Sequence, residues 1–256
     1  MKIRKAILYF FLSVGGPSLL NGQMAGNPVG VRGEGEWTVS AIGTYVNQQL
    51  GYETAVSRRI FLKSSWGLTP WLDVFCTGGG VQVDLNRSEA NVVDYKGKYR
   101  FGYGLGFNLS LKLEFNAWLW GGGQALRFPS QGSFLEYFDT GGESDYREFE
   151  MTYDWREFQG HLGFVFPYRS LRFYAAGVLW AVQRLETKQE YLQYGNFRGF
   201  VGEVEGEYRS GAWTGGVFGV EFLLPQRYSI CIESLVFNEE NYQVMVGICQ
   251  TGFAEW

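Results

Sequence analysis

Histidine occurs once in the 256 residues, cysteine three times, and charged residues make up only 19% of the chain. Each scarcity excludes something. A single imidazole, His161, cannot build a multi-histidine metal site and leaves room for at most one imidazole-based catalytic arrangement. Cys76, Cys231 and Cys249 are too few and too scattered for a disulfide scaffold or a zinc site. No apolar run approaches the roughly 18 residues a membrane helix needs, so the mature chain does not cross an inner membrane as helices. The net charge of −4 comes without a basic stripe, which excludes a nucleic-acid partner.

Glycine and aromatic residues are abundant instead, at 36 residues and 18%. Glycine weakens helices and aromatics favour strands, so the mixture leans towards β structure. The first residues read as an address: Lys2, Arg4 and Lys5 precede a short apolar run that Gly15, Gly16 and Pro17 interrupt. That is the layout of a Sec-type signal peptide, assigned to residues 1–25, with cleavage after Gly22 or Ala25. Residues 26–36 form a short lead-in, and 37–256 a single domain.

Ten antiparallel strands follow from period-two alternation. Trp37, Val39, Ala41, Gly43 and Tyr45 share one face of the first. In the second, Ile60, Leu62 and Trp66 oppose Lys63 and Ser65. The third sets Leu72, Val74 and Cys76 against Asp73 and Thr77, and Gly78 to Gly80 suggest a bulge. The fourth is the cleanest, with Phe101, Tyr103, Leu105, Phe107 and Leu109 alternating with Arg100, glycines, Asn108 and Ser110. The fifth covers about 113–128. The sixth sets Phe158, Leu162, Phe164 and Phe166 against Glu157, Gln159 and His161, and the seventh covers about 171–186, with Arg172 on its polar side. The eighth centres on Phe218 to Phe222 with Glu221 opposite, the ninth covers 228–237 with Glu233, and the tenth sets Tyr242, Val244, Val246 and Ile248 against Gln243 and Gly247. Links after the second, fourth, sixth and eighth strands are tight, whereas 84–99, 129–147 and 187–211 read as long polar loops. If Glu239 and Glu240 lie in the last turn, Cys231 and Cys249 fall on neighbouring strands and the same face, which leaves a cross-strand disulfide open beside the reading as inert side chains.

A soluble sandwich would carry charge on its polar face; here bulky residues alternate with glycine, serine and isolated charges, as expected for lipid outside and a narrow interior. The expected fold is all-β, a closed up-and-down transmembrane barrel of about ten strands. Lys63, Asp73, Arg100, Glu157, His161, Arg172, Glu221 and Glu233 are expected to form a polar network in its lumen. Trp37, Trp66, Trp71, Tyr168 and Tyr228 are candidates for interfacial girdles.

The signal peptide, the even strand count and the last alternating strand (Tyr242, Val244, Val246, Ile248, then Trp256) resemble small bacterial outer-membrane β-barrel domains. That resemblance implies a location in the bacterial outer membrane. It makes lipid and lipopolysaccharide, the barrel-assembly machinery and periplasmic chaperones the partners, with the final strand as the assembly signal. It carries no catalytic site, cofactor or metal. A monomer with a structural, adhesive or receptor-like role, or a narrow channel, is the expectation; an outer-membrane enzyme acting on lipid or peptide and a soluble periplasmic binding sandwich are the alternatives. His161 reads as a lumen residue, since it sits low in the wall. The glycine clusters precede no helix and do not read as phosphate loops. The acidic run Glu143, Asp145, Glu148, Glu150 and Asp154 matches no calcium loop and reads as solvated.

Overall fold

The computed structural model describes residues 35–51, 53–87, 95–114, 116–139, 144–194, 197–210 and 212–253. The expected signal peptide, nearly all of the expected lead-in and Trp256 lie outside these residues. Twelve strands appear in chain order: β1 (Glu36–Leu50), β2 (Glu53–Thr69), β3 (Leu72–Arg87), β4 (Tyr95–Lys96), β5 (Arg100–Lys112), β6 (Trp118–Asp139), β7 (Ser144–Tyr168), β8 (Leu171–Tyr194), β9 (Phe197–Arg209), β10 (Trp213–Leu224), β11 (Tyr228–Val236) and β12 (Tyr242–Phe253). Ten of them close an antiparallel ring in the order β1, β2, β3, β5, β6, β7, β8, β10, β11, β12, with β12 returning to β1. At that seam Glu36 pairs with Phe253, Thr38 Oγ1 bonds Thr251 Oγ1, and Gln49 N–H donates to Asn241 Oδ1.

The two remaining strands are accessories at the hairpin end. β4 adds two residues to β3. β9 continues the line of β10 upward: β10 pairs with the lower half of β8 through Trp213↔Trp180, and β9 takes over from Arg209↔Gln183. Ser210 bridges the break. Its N–H donates to Val182 O while its Oγ accepts from Val182 N–H, so a hydroxyl stands in for a missing carbonyl in the ladder.

The segments 129–147 and 187–211, expected as loops, are largely strand. β6 and β7 stay paired up to Asp139↔Ser144, and β8 and β9 up to Tyr194↔Phe197. The strands run on because their apolar residues change sides. On β7, Phe158, Leu162, Phe164 and Phe166 point outward and are exposed, whereas higher up Phe149, Met151, Tyr153 and Trp155 point inward and are buried. The same shift appears on β6, where Leu126 and Phe128 are inside and Arg127 outside. A pattern sought in one phase therefore fades where the opposite phase begins.

Below the shift, the outer wall is an apolar band. Phe101, Tyr103, Leu105 and Phe107 are exposed at 67%, 51%, 67% and 44%. On β7 the band from Phe158 to Tyr168 is about 33 Å along the strand at ~3.3 Å per residue, or about 25 Å along the axis after a tilt of ~40°, the height of a hydrocarbon-facing belt. Trp66, Trp71, Tyr168 and Tyr228 are exposed beside the tight turns at its lower edge. At the upper edge the outward residues become charged, with Arg58 paired to Asp84 and both Arg127 and Arg156 paired to Asp154.

The interior is not lined by small residues alone. From just below the shift upward, Phe61, Val81, Phe128, Tyr153, Trp155 and Trp180 belong to one buried cluster. Inward glycines make room for neighbouring rings: a Cβ on Gly106 would fall 2.2 Å from Phe75 Cζ and 2.6 Å from Gly123 O. Gly78 to Gly80 form no bulge; β3 keeps regular register there, and the Phe101 ring lies over Gly78, 3.1 Å from where a Cβ would be. The one irregularity of the β2–β3 pairing is at Gly67/Thr69.

Gly106→Leu is expected to destabilise the barrel by at least about 1–3 kcal/mol through overpacking, whereas Gly160→Ala, whose Cβ would meet only Gly122 O at 3.8 Å, is expected to be near neutral. Urea titration of the form that migrates anomalously on unheated gels measures both.

Candidate functional site

The lumen holds an ionic centre with an aromatic layer above it. At the centre, β2 supplies Arg59 and β7 supplies Glu157. Two parallel bonds join them, Nη1 to Oε2 at 3.0 Å and Nη2 to Oε1 at 2.8 Å, with side chains 1% and 0% exposed. Arg59 also donates to Ser57 Oγ at 2.7 Å, and its guanidinium sits 4.7 Å from the Phe128 ring centroid. Two other inward cations rest on rings. Lys63 Nζ lies 3.9 Å from the Phe75 centroid, and Arg184 lies 4.9 Å from Tyr153 and 5.4 Å from Trp155 while pairing with Glu53 at 2.9 Å. Rings replace part of the hydration these cations lose inside the wall.

Of the residues expected to line the lumen, Lys63, Asp73, Glu157, Glu221 and Glu233 are buried. Arg172 pairs with Glu221 at 3.2 Å across the β8–β10 ladder. Glu233 accepts from Tyr174 Oη at 3.1 Å. Asp73 faces Asn108 across β3–β5. His161 packs against Trp120 with ring centroids 4.2 Å apart, and its Nε2 has no hydrogen-bond partner among the described residues. Arg100 does not join them: at the first residue of β5, above inward Gly102, it is exposed and bonds Gln131 of β6. Sequence reasoning missed Arg59 and Arg184. Arg59 shares the phase of Lys63 and Ser65, so the signal was present at the strand's first residue; Arg184 lies above the shift.

Cys231 and Cys249 face inward, buried, and are not disulfide-bonded; their partners across the β11–β12 ladder are Gly247 and Ser229. Cys76 is exposed on the outer wall. In the last strand Val244 points outward, and Gln243, Met245 and Cys249 are buried within.

Beyond the rim, β6, β7, β8 and β9 form a projecting sheet. Its acidic residues are engaged by arginines: Arg198 of β9 takes Glu148 at 2.9 Å and Glu150 at 2.6 Å. Glu143 lies outside the described residues, and so does the side chain of Asp145. Arg209, with Gln183 beside it, holds the Glu207 carboxyl below its ordinary range. Tyr95 of β4 closes the top of the aromatic cluster; its hydroxyl bonds Ser130 Oγ at 2.8 Å, and burial pushes its phenol up to about 12.

No family model matches the chain, and no curated protein matches it. Among solved structures it is similar to the outer membrane protease OmpT from Escherichia coli, at 11% identity and TM-score 0.43, over 84% of this chain and 94% of that one. It is also similar to the translocator domain of the autotransporter NalP from Neisseria meningitidis, at 10% identity and TM-score 0.44, over 88% and 90%. A third is an outer membrane channel from Pseudomonas putida F1, at 9% identity and TM-score 0.39, over 89% and 100%.

Glu157→Ala leaves Arg59 buried without its carboxylate and is expected to cost about 3–5 kcal/mol, while Arg59→Met with Glu157→Leu is expected to recover most of that loss. A double-mutant cycle in urea measures the coupling.

Proposed function

We propose that this protein is an integral outer-membrane β-barrel whose role is structural, adhesive or receptor-like and is carried by the projecting sheet of β6 to β9. The observation that supports it is the reversal of polarity along single strands. A lower wall that is apolar outside, and holds the buried charges Lys63, Asp73, Glu221 and Glu233 among apolar side chains within, suits hydrocarbon; an upper wall that is polar outside and aromatic inside suits water. A soluble periplasmic sandwich has no use for the exposed band of Phe101 to Leu109.

Within this reading the barrel is a stalk rather than a pore. The bidentate Arg59–Glu157 pair and the cluster around Phe128, Trp155 and Trp180 fill its cross-section with buried side chains. No catalytic role is assigned, because His161 is enclosed beneath Trp120, away from the rim. The tight turns face the periplasm and the long hairpins face outward, as is usual for such barrels. Export through the Sec pathway, chaperone escort, assembly from the final strand and a monomeric state belong to the same proposal.

Two measurements test it. An epitope inserted at residues 195–196, between β8 and β9, should label intact cells, and labelling only after permeabilisation would overturn the orientation. Purified protein in a planar bilayer should pass no steady current, and a stable open conductance would overturn the closed stalk. Recovery in the soluble periplasm without detergent would remove the membrane assignment altogether.

A further inference from the structure

Strand register sets out three rows of outward residues across β5, β6, β7 and β8. The lowest is Phe107, Gly123, Gly160 and Leu179; the next is Leu105, Ala125, Phe158 and Ala181; the top is Tyr103, Arg127, Arg156 and Gln183. In the lowest row two glycines lie between Phe107 and Leu179, and in the next Ala125 and Ala181 alternate with Leu105 and Phe158, which leaves a furrow in the lipid-facing wall. Its volume is about 730 Å³, and Leu105, Phe107, Ala125, Phe158 and Leu179 line it. It continues upward into a second hollow of about 410 Å³ bounded by Tyr103, Arg127 and Arg156.

The top row is unusual for a sheet. Arg127 and Arg156 are direct cross-strand partners, and like charges so placed oppose pairing. A single carboxylate, Asp154, meets both, at 2.9 Å and 3.1 Å, so two positive charges face one negative. The neighbouring Arg209–Glu207 pair is neutral and adds nothing to the balance. One positive charge therefore remains where the apolar band ends, directly above a furrow shaped for hydrocarbon.

We infer that this outer surface binds one lipid A moiety of lipopolysaccharide, an acyl chain lying in the Gly123–Gly160 furrow and a phosphate on Arg127 and Arg156. The inference rests on the membrane reading above. Guanidinium groups match phosphate oxygens in two-bond geometry, and the excess positive charge complements an anionic head group at that depth. The site opens on the hairpin side, so in the proposed orientation it meets the outer leaflet, where lipid A is the phosphorylated lipid. Binding would also offset the repulsion between the two arginines, which the sheet alone leaves only partly countered by Asp154.

The experiment uses the full mature chain in nanodiscs of phosphatidylcholine doped with lipid A or, separately, phosphatidylglycerol, with bound lipid counted by native mass spectrometry. Wild type should retain one lipid A in preference to phosphatidylglycerol. Arg127→Ala with Arg156→Ala should lower retention about tenfold, as expected for the loss of charge-assisted bonds worth ~1.4 kcal/mol together. Gly160→Leu, whose Cβ meets only Gly122 O at 3.8 Å, should also lower retention by filling the furrow. Unheated gel mobility confirms that both variants are folded barrels and separates failure of the site from failure of the membrane reading. Unchanged retention in both folded variants would overturn the site, and equal retention of phosphatidylglycerol would overturn its assignment to lipid A.

Discussion

Between Trp155 and Phe158 the apolar side chains of β7 cross from the inside of the wall to the outside, and the charged residues Asp154, Arg156 and Arg127 gather on the outer face at that level. A strand gives its two faces opposite surroundings with period two. Only a change of solvent along the strand explains why the favoured face switches while the pairing continues unbroken. Below the switch the wall needs grease outside and can hold Lys63, Asp73 and Glu221 within; above it the wall needs charge outside and can build an aromatic core within. Arg59 and Glu157 lie at the junction, which is why their pair is so completely enclosed.

Such an arrangement tolerates no open edge in its lower part, where unpaired backbone groups would meet hydrocarbon at a cost of several kcal/mol each. The ring therefore closes at β12–β1, and β8 is covered by β10 along its whole lower half. Above the band the demand lapses. There β9 pairs with β8 alone, and its outer edge is guarded by glycines and by Glu203, Glu205 and Glu207 rather than by another strand. Ser210, where one regime passes into the other, keeps the ladder continuous with its hydroxyl.

Most wall strands are legible in the sequence because they carry outward apolar residues in one phase; β6, whose outward residues include Gly121, Gly123 and Ala125, is legible as a strand but not in its facing. Phe101, Tyr103, Leu105 and Phe107 were assigned the lipid side from alternation with glycine alone. What escaped was everything in the inverted phase: Phe149, Met151, Tyr153 and Trp155 alternate just as cleanly, but among charged neighbours on the opposite face they read as a polar loop. Arg100 shares the inward phase of Gly102 and Asn108, but it is the end residue of β5, where alternation does not fix which way a long side chain turns. The glycine clusters misled in another way. A bulge and a seat for a neighbour's ring look alike in sequence, and only the cross-strand register shows that Phe101 covers Gly78. Arg59 shares its phase with Lys63 and Ser65 but stands at the first residue of the alternating run, where periodicity is weakest.

The ladder joining β7 and β8 runs without a break from Tyr168↔Leu171 at the tight turn to Tyr146↔Gln193 near the tip. A pull applied to the tip along the strand axis would load all of those rungs at once, in shear, rather than peeling them apart one by one. The same two strands are anchored in the membrane belt at their lower ends. In the proposed orientation, tension gathered outside the cell would pass directly into the barrel wall, as it does through a tether.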